Sequence, residues 1–258
     1  MDESRRATKV SCTIIARDEE DRILRCLESV RSIASEIVVV DSGSTDATVA
    51  LCEAFGATVF VNPWTGYGPQ KRYAEDRAQH DWVLNLDADE WLPDAVRREI
   101  ARLLDGPIPE HVFGYQFRIM HVYPGKSRPR RLADYHKYVR LYDKTKCRFP
   151  DSAVFDEIKV EERHLGRIAN PIYHQSLRSL RHLIRKNTQY YAMQRSEVGQ
   201  KSLLNVPRLI VEPVSVFLKY YLLKRHFTGG IYGFLVASTI AGLRTYRLAR
   251  FVIGHRPR

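Results

Sequence analysis

Before residue 110, short aliphatic runs alternate four times with stretches of helical periodicity, and that alternation restricts the fold more than any other feature. Val10–Ala16 (VSCTIIA) reads as a buried strand, because a continuous apolar run rich in β-branched residues suits burial on both faces. Ile23, Leu24, Leu27, Val30 and Ile33 then recur every three to four residues, the mark of an amphipathic helix. Glu36–Val40 (EIVVV) is a second buried strand, which ends on Asp41. In the polar cluster Ser42–Asp46, Ser44, Thr45 or Asp46 is expected to cap a second helix, which Gly56 closes. Thr58–Val61 is a third strand, Pro69–Gln79 a helix, and Trp82–Leu86 (WVLNL) a fourth strand ending at Asp87. Pro93 opens a helix whose apolar face is Val96, Ile100, Leu103 and Leu104. The pattern predicts an α/β domain with a Rossmann-like, mainly parallel sheet and helices on both faces. Ligands of such sheets bind at the carboxyl ends of the strands. Three polar features lie there: Arg17–Glu20, Asp41–Asp46 and Asp87–Asp89.

The pattern changes after residue 113. Phe113, Tyr115, Phe117 and Ile119 alternate with other residues, and Tyr138–Tyr142 and Ile158–Val160 are strand-like, which predicts an antiparallel extension of the sheet. After Ser176 the chain turns helical again. Charge follows the same division. Residues 1–110 hold 13 Lys/Arg against 21 Asp/Glu, residues 111–200 hold 18 against 8, and residues 201–258 hold 10 against 1. An acidic first half suits a bound cation, and a basic remainder suits an anionic partner. On charge alone, nucleic acid, anionic lipid and a phosphorylated glycolipid all stay open. With no repeat or low-complexity linker, the chain reads as one domain plus a C-terminal extension, divided into 1–110, 111–200 and 201–258. The four cysteines have no CxxC pair and read as reduced, buried thiols. The opening MDESRRATKV has no apolar core of a signal peptide, so a cytoplasmic chain is expected.

Asp87-Ala88-Asp89 carries the most chemistry. Two carboxylates one residue apart at a strand end offer hard oxygen ligands to Mg²⁺ or Mn²⁺, which can bridge a diphosphate and neutralise charge on a nucleoside-diphosphate leaving group. Asp41, also ending a buried strand, can accept hydrogen bonds from a base or ribose.

These residues together resemble the GT-A glycosyltransferases of family 2, and within them the bacterial lipopolysaccharide core glucosyltransferases of the WaaE type. The resemblance runs through IIARDEE (14–20), EIVVVDSGSTDATV (36–49), GYGPQKRYA (66–74) and DWVLNLDADEW (81–91). It continues more loosely through VFDE (154–157) and YHQS (173–176). It implies a UDP-sugar donor, with glucose as the sugar. Ala16, Arg17 and Glu19 match the loop lining the nucleoside site, and Asp41 the carboxylate that reads uracil or ribose. Lys71 matches the basic residue reaching base or diphosphate, and Asp87 and Asp89 match the pair that holds ribose and metal. Asp18 stands where the family usually has Asn, and so does Arg72. Residues 1–110 become the nucleotide-sugar-binding half and 111–200 the acceptor-binding half.

An inverting transferase needs a base for the acceptor hydroxyl. The resemblance places Glu157 in that role, with Asp156 in reserve, and matches His174 to a residue that completes the metal shell or contacts phosphate. The basic, aromatic stretch Tyr123–Arg140 suits an anionic, sugar-bearing acceptor. Residues 206–253 mix large apolar side chains with Lys and Arg. The uncharged run Phe227–Leu243 is short for a span, which takes roughly 20 residues, so a helix lying on the cytoplasmic face of the inner membrane is expected. A dimerisation helix, and with it an oligomer, is the competing reading. The rival enzyme is a polyprenyl-phosphate glycosyltransferase. A non-enzymatic basic nucleic-acid-binding protein is the rival of another class, disfavoured by the acidic N-terminal half and the lack of a nucleic-acid motif.

Overall fold

The computed structural model describes residues 7–153, 155–185 and 206–253. Residues 1–6 of the opening segment, Val154 of VFDE, and residues 186–205 and 254–258 of the expected acceptor-binding and C-terminal segments lie outside the described residues. Two compact units are present: Met1–Met120 with Tyr135–His174, and His121–Asp134 with Gln175–Arg258.

The first unit is the α/β domain. Strands β1 (Val10–Ala16), β2 (Glu36–Asp41), β3 (Thr58–Val61) and β4 (Trp82–Asp87) alternate with helices α1 (Ile23–Val30), α2 (Thr48–Phe55) and α3 (Tyr67–Arg77); helix α4 (Asp94–Leu104) follows. All pairings among these four strands are parallel. Strands β5 (Glu90–Trp91), β6 (Gly114–His121), β7 (Tyr135–Asp143), β8 (Leu165–Arg167) and β9 (Ile172–His174) extend the sheet. The strand order is β3-β2-β1-β4-β7-β6-β9-β5, with β8 beside β6. β7 pairs antiparallel with β4 and β6, as does β5 with β9, whereas β8 joins β6 in parallel.

Alternation along the strands explains why both faces carry helices. Cys12 and Ile14 on β1 and Leu84 and Leu86 on β4 face one side, where they pack with Ile23, Cys26 and Leu27 of α1 and Val96, Ile100 and Leu104 of α4. Ile15, Val38 and Val40 face the other side, where Ala74 of α3 meets them. Each fully buried aliphatic side chain contributes about 1.5–3 kcal/mol. The strand order turns back between β1 and β4, so the crevice at their carboxyl ends is the binding position of such a sheet.

Several local expectations shift. Helix α3 begins at Tyr67, with Pro69 in its first turn, where a missing N–H is tolerated. Ile158–Val160 forms no strand; Ile158 is buried beside Tyr142 and Phe149, with Val160 packed at the edge of that cluster. Gly56 closes α2 in the left-handed conformation, at φ +95°. Of Ser44, Thr45 and Asp46, it is Asp46 that caps α2: its Oδ1 accepts the N–H of Thr48, the first helical residue, at 3.0 Å, while its Oδ2 and the Ser44 hydroxyl accept N–H groups of the loop after β1.

In the second unit, residues 180–185 are helical, and helices α5 (Val206–Leu218) and α6 (Gly230–Ile253) pack against each other. Phe217 meets Phe234 edge to face. The segment His121–Asp134 belongs here. Tyr123 Oη lies 2.5 Å from His226 Nδ1, and Arg130 bonds Asp134 at 2.7 Å and the carbonyl of Lys224 at 2.6 Å. His226–Arg250 is the one segment among the described residues long and apolar enough to cross a membrane, by length and composition.

Candidate active site

Strand register brings the three polar strand ends together. Ala16 pairs with Asp41 and Ile15 with Asp87, so the two carboxylates flank β1, roughly 10 Å apart by strand spacing. Asp41 is buried, and its Oδ1 accepts the N–H groups of Gly43 and Ser44, each at 2.8 Å, while the Ser44 hydroxyl donates to Oδ2. The loops after β1 and β2 are bonded to each other. Asp18 N–H donates to Ser44 Oγ at 2.9 Å, Glu19 N–H to Thr48 Oγ1 at 2.7 Å, and Thr45 N–H to Asp18 Oδ1 at 2.8 Å. Asp18 has φ +53°, a left-handed conformation that Asn and Asp adopt more readily than other side chains, so Asp suits this position. Ala16 is buried on β1, Arg17 is exposed, and both oxygens of Glu19 hold Arg22, at 2.7 Å.

The carboxylates after β4 are surrounded by cations. Asp87 Oδ1 lies 2.9 Å from Lys71 Nζ, and its Oδ2 lies 2.9 Å from Arg140 Nη2. Asp89 Oδ1 lies 3.1 Å from His174 Nε2, and its Oδ2 lies 3.3 Å from Arg22 Nη1. Burial pushes the Asp87 carboxyl up, but Lys71 and then Arg140 outweigh it and hold the group well below the usual carboxylate range. Asp89 is held low as well, where burial is outweighed by His174 and Arg22. Burial pulls the His174 imidazole down, but Asp89 raises it further, so the ring keeps its proton above its ordinary range. Glu90 goes the other way: burial raises it more than Arg140 lowers it.

Lys71, 1% exposed, links this group to the next segment. Its Nζ lies 2.9 Å from Asp87 and 2.8 Å from Asp156 Oδ2. Residues 148–153 run along α3. Arg148 bonds Glu75 at 2.7 Å, Arg72 donates to the Phe149 carbonyl at 2.7 Å, and Tyr67 and Gly68 N–H groups donate to the carbonyls of Ala153 and Ser152, both at 3.1 Å. Arg72 therefore fastens this segment. Asp156 is half-buried, and Glu157 is exposed and unpaired among the described residues.

Of the residues expected from sequence, Lys71, Asp87, Asp89, Asp156 and His174 come together, Asp41 and Glu19 border them through the joined loops, and Arg17 and Glu157 face solvent. Sequence reasoning passed over Arg22, Glu90 and Arg140. Arg140 lies in the strand-like run Tyr138–Tyr142, which the structure extends to β7, and at the end of the stretch Tyr123–Arg140 expected to meet the acceptor; instead of facing an acceptor it is buried against Asp87. A charged residue inside the apolar run YVRLY is the signal that could have found it.

Residues 11–162 match the family described as Glycosyl transferase family 2. An uncharacterized glycosyltransferase of Rickettsia prowazekii is 35% identical over 94% of this chain and 86% of its own length. The lipopolysaccharide core biosynthesis glycosyltransferase LpsC of Rhizobium meliloti is 31% identical over 89% of this chain and 87% of its own length. Among solved structures, glucosyl-3-phosphoglycerate synthase from Mycobacterium tuberculosis, in complex with Mn²⁺, UDP and glucosyl-3-phosphoglycerate, matches 46% of this chain and 45% of its own at 26% identity, with a TM-score of 0.35. With more than half of its length matched by one family and nearly all of it by a relative of that activity, the chain belongs to glycosyl transferase family 2 and is a glycosyltransferase.

Proposed function

We propose that this glycosyltransferase is inverting and metal-dependent, and that it moves a sugar, with glucose favoured by the resemblance, from UDP to a lipopolysaccharide inner core or related glycolipid. The observation that carries the donor site is the pairing of Asp89 with His174 at the crevice between β1 and β4. Asp89 Oδ1 and His174 Nε2, 3.1 Å apart, share the ring proton here, and the pair would hold Mg²⁺ or Mn²⁺ once that proton is displaced. Among the described residues no cluster of three or more His, Cys, Asp or Glu side chains forms a protein cage. Asp89 and His174 would be the residues that hold the cation, with Asp87 bordering it. When bound, it neutralises charge on the departing diphosphate.

The chain's own residues do the rest. Asp41 and Asp87 bind base and ribose, the Ala16–Glu19 loop lines the nucleoside, and Lys71 adds positive charge beside the diphosphate. Glu157 takes the acceptor hydroxyl proton as that oxygen bonds to the anomeric carbon and the bond from that carbon to the diphosphate breaks; Asp156 is the reserve base. The relationship to LpsC and the basic balance of residues 111–258 support an anionic glycolipid acceptor. We further place the enzyme on the cytoplasmic face of the inner membrane, held peripherally by its C-terminal helices, with no nucleic-acid partner.

The test is calorimetric titration with UDP, GDP, ADP and dTDP, with and without Mn²⁺. UDP is expected to bind, more tightly with the metal, and Asp89→Ala to lose that gain together with transfer activity. Equal UDP affinity in EDTA and in Asp89→Ala would remove the metal from the reading.

A further inference from the structure

The strand β7 contains one residue more than its partner. Leu141 pairs with Tyr115 and Val139 with Gln116, so Arg140 is the extra residue of a β-bulge. A bulge interrupts the alternation of side chains and turns one of them out of its normal direction. Here the five residues Val139–Asp143 are all buried in succession, and the re-aimed side chain is the Arg140 guanidinium. Its Nη1 donates to Asn85 Oδ1 at 3.0 Å, and its Nη2 to Asp87 Oδ2 at 2.9 Å and Glu90 Oε1 at 2.6 Å. The anchoring groups are themselves held. Asn85 donates to the Thr13 carbonyl and hydroxyl at 3.2 Å, and Glu90 Oε2 accepts the Asp87 N–H at 3.1 Å. The result is a closed arrangement that grips Asp87 by both its backbone and its carboxylate, leaving Oδ1 toward Lys71.

Arg140 Nε is buried without a hydrogen-bond partner. A guanidinium placed only to stabilise the sheet would be expected to satisfy all its donors. This one leaves a donor unmet while two of its nitrogens reach the residues beneath and beside the strand-end carboxylates. We infer that Arg140, delivered by the bulge and braced by Glu90, is a positioning residue that fixes the orientation of the Asp87 carboxylate for the donor nucleotide without touching the nucleotide itself. This rests on the reading of Asp87 as a nucleotide-binding residue.

The experiment compares wild type, Arg140→Lys and the double variant Arg140→Met/Glu90→Gln, which removes one buried charge of each sign together. Each is checked for folding by circular dichroism and thermal melting. UDP affinity is then measured with Mn²⁺, and KM separately for donor and acceptor. Loss of a residue that orients a ligand-binding side chain typically weakens affinity roughly 10- to 100-fold. The double variant is expected to weaken UDP affinity and raise donor KM in that range while the acceptor KM stays within twofold. Arg140→Lys, a point charge in place of a fork, is expected to recover only part of the loss. A folded double variant that binds UDP as wild type does overturns the inference. So does wild-type UDP affinity in Arg140→Lys, which decides the matter if the double variant does not fold. Equal loss for donor and acceptor also overturns it, since that is the mark of general destabilisation. Failure of the wild-type protein to bind any nucleoside diphosphate defeats the donor-site reading itself, and the inference with it.

Discussion

Lys71 shows what single side chains contribute here. An ammonium 1% exposed, within 2.9 Å of two carboxylates on different segments, ties the end of β4 to the segment bearing Asp156 and Glu157. Removing one partner of a fully buried ion pair costs roughly 3–5 kcal/mol, less here because Asp87 and Asp156 are only partly buried. The same contact separates the two acids. Asp156 is occupied by Lys71, whereas Glu157 faces solvent and has no partner to compete for its electrons among the described residues. Glu157→Gln is therefore expected to lower kcat by about 10²- to 10⁴-fold with UDP affinity within twofold. Asp156→Asn is expected to weaken UDP binding as well, through Lys71. Steady-state kinetics and titration calorimetry separate the outcomes, and undiminished turnover in Glu157→Gln would move the base to Asp156. Asp87 and Asp89 were legible because a strand end announces them, and Lys71 only through the resemblance carried by GYGPQKRYA. Arg140 was not, because a bulge is a relation between two strands that neither sequence contains. Arg22 was missed because an arginine entering a helix looks like any solvated residue until Glu19 and Asp89 are folded against it.

At the level of elements, α3 and residues 148–153 act as one piece because the helix begins with two glycines. A Cβ on Gly68 would lie 2.1 Å from the Pro150 carbonyl oxygen and 2.6 Å from that of Ser152; on Gly66, with φ +135°, it would meet Ala153 Cα at 2.3 Å. Backbone atoms cannot yield as a flexible side chain can. Gly68→Ala is expected to destabilise the fold by about 1–3 kcal/mol, the usual cost of overpacking, and to loosen Asp156 from Lys71. Urea unfolding and donor KM check this; unchanged values of both would show that the segment is not held by this contact. The strands and helices before residue 110 were readable because both faces of the sheet are buried by local, sequential packing. Ile158–Val160 looked like a strand because burial alone imitates one, and no neighbouring strand pairs there.

For the molecule as a whole, charge asymmetry was plain in the sequence, and the same region carries an exposed apolar stripe. Ile210, Val211, Val214 and Leu218 on α5 are exposed at helical spacing, Ile210 by 79%, within a segment where residues 201–258 carry ten basic residues and one acid. Anionic liposomes are expected to sediment the protein, less so at high salt, and Ile210→Asp/Val214→Asp to abolish this without altering the melting temperature. Retention of binding in that variant would place the membrane contact elsewhere. The membership of the second unit was illegible, because Tyr123 and Arg130 find their partners at His226 and Lys224, far along the chain. That separation has a consequence for synthesis. At about 5–20 residues per second, the ribosome delivers His226 roughly 5–20 s after Tyr123, since about 100 residues separate them. Throughout that interval Tyr123 and Arg130 lack the partners that hold them, and a chaperone or the membrane surface itself can reach this basic, aromatic segment before its own helices do.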